Sequence, residues 1–373
     1  MENLNRLFNN DITLTKLNIR QKMSIGYIKK ISRFLNNNSS LKVLNIVNGN
    51  LRENGAIEIA NVLRINTTLS KLSLSGCRIT ERGLIEIANS LKDNITLKEL
   101  CISCNIISEN VMKEISNMLK INTTLEILIL NRNNINENCV IEIFNFLHIN
   151  NTLNDLIIPN NNISDIGIKY IFNGLVSNTN LKLLRINNAN INDNSISDIV
   201  KCLQINQTLL QLDISHNNIS EKGIIELVSI FNLNNTLEEL YINNNNIGNN
   251  GAKEIANVLK INTSLISLNI SVNNIGDDGL KEISNALKFN TTLKKLYIHN
   301  NNISDDKEVA NIIKNNTLQL LDFGNNNISN MNEIINALKL NTTLSELHIY
   351  QNNFDKEKFI DSIKFTNMLI KIV

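Results

Sequence analysis

The 373-residue chain carries 36 Lys and Arg against 35 Asp and Glu, a net charge of +1, and 42% of its residues are hydrophobic. That balance argues against a chain-wide basic field for nucleic acid or an anionic membrane. No run approaches the roughly 18 consecutive apolar residues of a membrane span. The opening Met1-Glu2-Asn3-Leu4-Asn5 lacks a basic region followed by an apolar stretch, so no secretory signal and a cytoplasmic location are expected. Five cysteines (Cys77, Cys101, Cys104, Cys139, Cys202), few and odd in number, fit reduced thiols better than a disulfide framework.

In chain order, Leu4, Leu7 and Phe8 fall at i, i+3 and i+4 and predict a short capping helix within residues 1–13. A pattern L-x-x-L-x-I/L-x-x-N-x-I then recurs. Its first leucine falls at Leu14, Leu41, Leu69, Leu97, Leu125, Leu153, Leu181, Leu209, Leu237, Leu265, Leu293, Leu318 and Leu344. That makes thirteen repeats over residues 14–354, spaced by 27, then nine times by 28, then by 25 and 26. Residues 355–373, with Phe359, Ile360, Ile363 and Phe365, are expected to close the far end.

Each repeat opens with a predicted strand. In Leu237–Ile242 the apolar residues at 240 and 242 alternate with 239 and 241, the period of two that a strand requires. The second half predicts an amphipathic helix, as with Leu280, Ile283 and Leu287 on one face. Lys120-Ile121-Asn122 and Lys260-Ile261-Asn262 place a cation in the last helical turn, where it suits the dipole. Asn then follows as a residue that accepts the left-handed conformation after a helix. The consensus Asn, as at Asn105, Asn133, Asn161 and Asn273, is expected to satisfy turn backbone in its own and adjacent repeats. Lys22 fits that position poorly, which assigns the first repeat to the cap.

Parallel strands stack about 4.8 Å apart and helices about 10 Å apart, so one strand and one helix per repeat must curve. The period and consensus identify a leucine-rich repeat solenoid of the α/β class. The expectation is one domain over residues 1–373, a horseshoe with a concave parallel sheet and convex helices. The unit running from Asn262-Thr263-Ser264-Leu265 through Asn273-Asn274-Ile275-Gly276-Asp277-Asp278-Gly279-Leu280 resembles the ribonuclease-inhibitor-like subfamily. It is similar to repeats of nucleotide-binding immune receptors and Ran GTPase-activating proteins. No G-x-x-x-x-G-K-S/T accompanies it, and the chain ends Lys371-Ile372-Val373 without the acidic tail typical of the Ran activators. The resemblance therefore implies fold and no catalytic residue.

Cys101-x-x-Cys104 is the one metal-like or redox-like spacing, and it lacks a plausible fourth ligand. His148, His216, His299 and His348 have no Ser or Cys nucleophile that the register places beside them. No catalytic residue, cofactor or metal is expected. Positions two, four and six after the first leucine should face the concave side. There Ile127, Ile129, Ile157, Pro159 and Leu183 predict an exposed apolar patch. Tyr241, Tyr297, His299, His348 and Tyr350 predict an aromatic one. The alternative is β-propensity alone, since Ile and Tyr suit strands whatever they touch. Acidic and basic residues interleave on the same wall, from Lys71 and Glu99 to Glu239 and Lys295, and no single-sign stripe tracks a phosphate backbone. The expected function is a monomeric, non-catalytic scaffold that binds a protein partner, with no nucleic acid and no membrane. The alternatives are a regulator of an enzyme, as a GTPase activator or an inhibitor, and a pathogen protein acting inside a host cell.

Overall fold

The computed structural model describes residues 6–9, 11–363 and 371–372. They fall into two compact units, Met1–Ala189 and Asn190–Val373. The first unit holds strands β1 (Lys16–Ile19), β2 (Val43–Ile46), β3 (Lys71–Ser73), β4 (Glu99–Cys101), β5 (Ile127–Ile129), β6 (Asp155–Ile157) and β7 (Leu183–Arg185). The second holds β8 (Gln211–Asp213), β9 (Glu239–Tyr241), β10 (Ser267–Asn269), β11 (Lys295–Tyr297), β12 (Leu320–Asp322), β13 (Glu346–His348) and β14 (Lys371–Ile372). The first thirteen strands each begin two residues after a lead leucine. The last lies inside the segment expected to cap the chain and pairs with β13.

Within each unit the strands pair in parallel and in chain order, with matching residues in register. Leu44, Leu72, Leu100, Leu128, Leu156 and Leu184 form one row in the first unit. Leu212, Leu240, Leu268, Leu296, Leu321 and Leu347 form the matching row in the second. All twelve are at most 1% exposed. They pack against helical residues spaced at i, i+3 and i+7, such as Leu280, Ile283 and Leu287, which are fully buried. The two final repeat helices, Asp306–Lys314 and Asn332–Leu340, have nine residues, where most earlier ones have eleven to fourteen. These two helices lie in the 25- and 26-residue steps.

Helices start where a short polar side chain can cap them. Ser24, Thr80, Ser108, Asn136, Asn192 and Ser220 occupy the same register position, and each accepts a first-turn N–H. Three residues further on, small side chains let the preceding helix approach. A Cβ on Gly251 would lie 2.6 Å from Ile224, and one on Gly83 would lie 2.8 Å from Ala56.

Two ladders of Asn carry the turns. At the strand exit, Asn161 Oδ1 accepts the N–H groups of Asn133 and Ile135, both at 3.0 Å. Its Nδ2 donates to the carbonyls of Leu130 and Ile158. Lys22, at the equivalent point of the first repeat, is exposed. The second ladder corrects an expectation. Asn after the helix does not take the left-handed conformation: Asn66 has φ −75° and ψ 127°, and neither Asn122 nor Asn262 is among the positive-φ residues. Instead Asn122 Oδ1 accepts from the N–H groups of Thr124 and Leu125 at 2.9 and 2.8 Å. Its Nδ2 donates to Leu91 and Asn94 one repeat back. Asn suits that place because its amide oxygen can accept two N–H groups while its NH2 donates to two carbonyls. Left-handed Asn sits at the strand exit, as in Asn160, Asn188, Asn244 and Asn300.

At the N-terminal end, residues 6–8 are helical, Leu7 is buried, and the Phe8 and Phe34 rings lie 5.1 Å apart. At the other end the helix Lys356–Ile363 buries Phe359. Leu4 and Phe365, also expected in the caps, lie outside the described residues. No helix among the described residues is long and apolar enough to cross a membrane.

Candidate functional site

The strand face of each unit carries the expected residues, and the register decides which of them meet. In the first unit one row across β4 to β7 reads Glu99, Ile127, Asp155, Leu183, and the next reads Cys101, Ile129, Ile157, Arg185. Ile129 and Ile157 are therefore neighbours, while Asp155 separates Ile127 from Leu183. All four apolar residues are half-buried rather than exposed, and Pro159 is fully buried. Pro159 corrects the expectation of exposure, although His299 and Tyr350 at the same register position are half-buried. Its carbonyl accepts from Arg132 N–H and from Asn161 Nδ2 in the exit turn. Burial pushes the Asp155 carboxyl up, against the attraction of Arg185. Opposite charges also meet across the sheet, with Lys71 Nζ 2.7 Å from Glu99.

In the second unit one row reads Asp213, Tyr241, Asn269, Tyr297, Asp322, His348. Tyr241 stands apart from the other aromatics. Its hydroxyl donates to Glu239 at 2.7 Å, and burial together with that bond pushes its phenol up to about 12. Tyr297, His299, His348 and Tyr350 gather around Asp322, a carboxylate only 6% exposed. His299 Nδ1 lies 3.0 Å and His348 Nδ1 3.4 Å from Asp322 Oδ2. His348 Nε2 lies 3.0 Å from Glu346. Tyr350 lies over Gly324, where a Cβ would come within 2.6 Å of the ring. Burial, then the Asp322 carboxylate, pushes up the Tyr297 and Tyr350 phenols.

One family model matches, described as leucine-rich repeat, over residues 66–88, 206–228, 233–256 and 262–284. Among solved structures, the yeast Rad7 and Elc1 complex is 16% identical, covers 93% of this chain and 88% of that one, and superposes with a TM-score of 0.58. The chain is built of leucine-rich repeats. An internalin from Listeria monocytogenes is 21% identical over 99% of this chain and 88% of its own, with a TM-score of 0.48. The actin-binding site 2 of leiomodin-1 is 30% identical over 34% of this chain and 76% of its own, with a TM-score of 0.32. No curated protein matches in sequence.

The leucine-rich repeats thus bring together four of the ten residues singled out from the sequence around Asp322, and they add Gly324 and Glu346. Asp322 was legible in principle. It stands four residues after Leu318, in the row that Tyr297 and His348 occupy, but it is the carboxylate's burial beneath four rings that gives it a role. Such a group can present hydrogen-bond donors, acceptors and ring faces to a partner at once. A neutral His348 can donate to only one of its two carboxylates. Ser271, one strand away from His299 in register, keeps its hydroxyl buried without a hydrogen-bond partner. Among the described residues no group of three or more His, Cys, Asp or Glu is placed to hold a metal ion. Cys101 Sγ instead meets Ser103 Oγ at 3.3 Å, and Cys104 is exposed.

Proposed function

We propose that the chain is a non-catalytic protein-binding module whose strand face takes a protein partner. The observation that carries this reading is the assembly of Tyr297, His299, His348 and Tyr350 around the buried Asp322 carboxylate. Aromatic side chains held in place by such contacts lose little conformational freedom on docking, so more of the contact energy survives as affinity. The neighbouring pair Ile129 and Ile157 in the first unit, with Ile127 and Leu183, supplies further half-buried contact surface, as does Tyr241 in the second. The same reading takes the repeats as ribonuclease-inhibitor-like, on their 28-residue period and the full α-helix in most of them. It takes residues 1–373 as one monomeric, cytoplasmic domain.

The test is affinity capture of the partner from the native cell, repeated with Ile129→Asp and with Tyr297→Asp. Both positions are half-buried strand-face sites, so the variants should keep the circular dichroism spectrum of the parent, with Tyr297→Asp melting lower because its carboxylate would stand beside Asp322. Partner capture is expected to fall by an order of magnitude or more with Tyr297→Asp and less with Ile129→Asp. Capture that survives both changes places the partner elsewhere. A hydrolysis assay of the captured partner, with and without the chain, distinguishes a passive scaffold from a regulator of an enzyme.

A further inference from the structure

Exposed apolar side chains recur at one register position. In the second unit Ile205, Leu233, Ile261 and Phe289 each stand immediately before an Asn of the second ladder, and each is between 60% and 71% exposed. Six residues further on, Gln211, Glu239, Ser267 and Lys295 form one in-register row of the sheet. The turns are also tied back to one another. Asn234 Nδ2 donates to the Asn206 carbonyl at 3.0 Å, and Asn290 Nδ2 to that of Asn262 at 3.3 Å. Four bulky apolar tips therefore line one edge of four successive repeats.

The fold does not require them. Asp93 and Ser177 fill the same register position in the first unit. There too the position is apolar elsewhere, with Ile65, Ile121 and Ile149 exposed. Apolar side chains exposed singly need no account. A column of them marks a surface that something covers.

Charge along the same edge is of one sign. The turns 201–207, 229–235, 257–263 and 285–291 hold Lys201, Lys260 and Lys288 and no Asp or Glu. All three lysines are exposed. Lys260 and Lys288 Nζ reach the amide oxygens of Asn257 and Asn285, at 3.2 and 2.7 Å, rather than a carboxylate. Lys294 Nζ adds a cation at the Thr291 carbonyl. The outward acids Asp198, Glu226, Glu254 and Glu282 stand seven residues before each tip, roughly two helical turns back. Between the tips and their strands the one acid is Glu238. The helix dipole accounts for cations in a last turn; it does not account for the apolar tips beside them. The near-neutral total of +1 hides this placement.

We propose that this edge of the second unit is a peripheral contact surface for an anionic phospholipid bilayer. Ile205, Leu233, Ile261 and Phe289 enter the boundary between headgroups and acyl chains, and Lys201, Lys260 and Lys288 meet the headgroup phosphates. Repetition selects the occupant. Apolar tips that recur at every repeat ask for a partner with the same chemistry at each step. A bilayer is anionic at its face and apolar beneath it everywhere. A nucleic acid would meet the lysines but offer the tips no apolar layer, and a folded protein would have to match each repeat separately. The edge is distinct from the strand face, and the inference does not rest on the function proposed for that face.

The test uses the full chain. It contains no Trp, so Phe289→Trp places a lone indole on the edge. With vesicles of equal parts phosphatidylcholine and phosphatidylserine, the chain should co-sediment, and the indole emission should shift to the blue and be quenched by brominated acyl chains. Neither should happen with phosphatidylcholine alone. Ile205→Ser, Leu233→Ser and Ile261→Ser together should weaken vesicle binding by more than about tenfold. They should not lower the melting temperature, since Ser177 already fills this position. Lys201→Gln, Lys260→Gln and Lys288→Gln together should weaken binding several-fold. Ile225→Ser, at an exposed helix position outside the four turns, should leave it within about twofold. Unshifted emission with the anionic vesicles, binding unaltered by the three Ser replacements, or equal binding to phosphatidylcholine alone would each overturn the proposal. So would a blue shift that grows with protein concentration in the absence of lipid, which would show the edge covered by a second copy.

Discussion

His299 Nδ1 lies 3.0 Å from Asp322 Oδ2 and joins two neighbouring strands through their side chains on the open face of the sheet. Burial pushes the Asp322 carboxyl up. The His299 hydrogen bond, the Gly324 N–H and the two histidines outweigh it and hold the group below its ordinary value of 3.8. A carboxyl lowered by folding stabilises the folded chain above its unfolded value, and that contribution disappears as pH falls through the lower folded value. Stability from this site should therefore be complete above about pH 5 and be lost below the ordinary carboxylate range. Asp322→Asn should lower the urea midpoint at neutral pH by the equivalent of about 1–3 kcal/mol, the cost of leaving buried partners unsatisfied. It should also flatten the fall in midpoint between about pH 5 and 2. An unchanged acid profile would remove Asp322 from the stabilising network.

Asn161→Ala should be among the more damaging single changes outside the apolar core. It strips the acceptor from two buried backbone N–H groups and the donor from the carbonyls of Leu130 and Ile158. Each orphaned group costs about 1–3 kcal/mol when no water reaches it. The expected readout is a lowered urea midpoint, with hydrogen exchange accelerating first at Asn133 and Ile135. Protection unchanged at those two amides would mean that the ladder does not hold the turn.

Val272 is a misfit in its column. It has φ +56°, a conformation that Asn188, Asn244 and Asn300 share at the same register position. A β-branched side chain is strained there, whereas Asn is not. Val272→Asn should therefore stabilise the chain by about 1 kcal/mol, read as a raised melting temperature. A lowered one would show that Val272 contributes packing that outweighs its backbone.

The five thiols should divide by burial. Desolvation pushes Cys77 up to about 11 and Cys202 up to about 12, and it raises Cys139 as well. Cys104 is exposed and Cys101 half-buried. Because the thiolate is the reactive form, a disulfide reagent at about pH 8 should label two thiols of the folded chain promptly and all five after urea. Rapid labelling of more than two would show that the core opens readily. The three buried thiols should stay slow as pH rises until it nears their raised values, since burial disfavours the thiolate.

The repeat, the strand starts, the buried leucine rows and the consensus Asn ladder were legible in the amino-acid sequence because each follows from a periodicity. A period of two or of 3.6 fixes which side chains point inward, and a 28-residue spacing fixes which of them become neighbours. The sequence also placed Tyr297, His299, His348 and Tyr350 on the strand face. Three things were settled only by tertiary structure. Asn122 proved to be an amide clamp reaching back to Leu91 rather than a left-handed helix end, because its partners lie one repeat away. Pro159 proved buried, although His299 and Tyr350 at the same register position are only half-buried. Asp322 proved to be the centre of the aromatic group, because its environment is made by side chains from three strands. Local pattern determines an element and its facing. Burial, charge and hydrogen-bond partners belong to the space between elements, which no single repeat encodes.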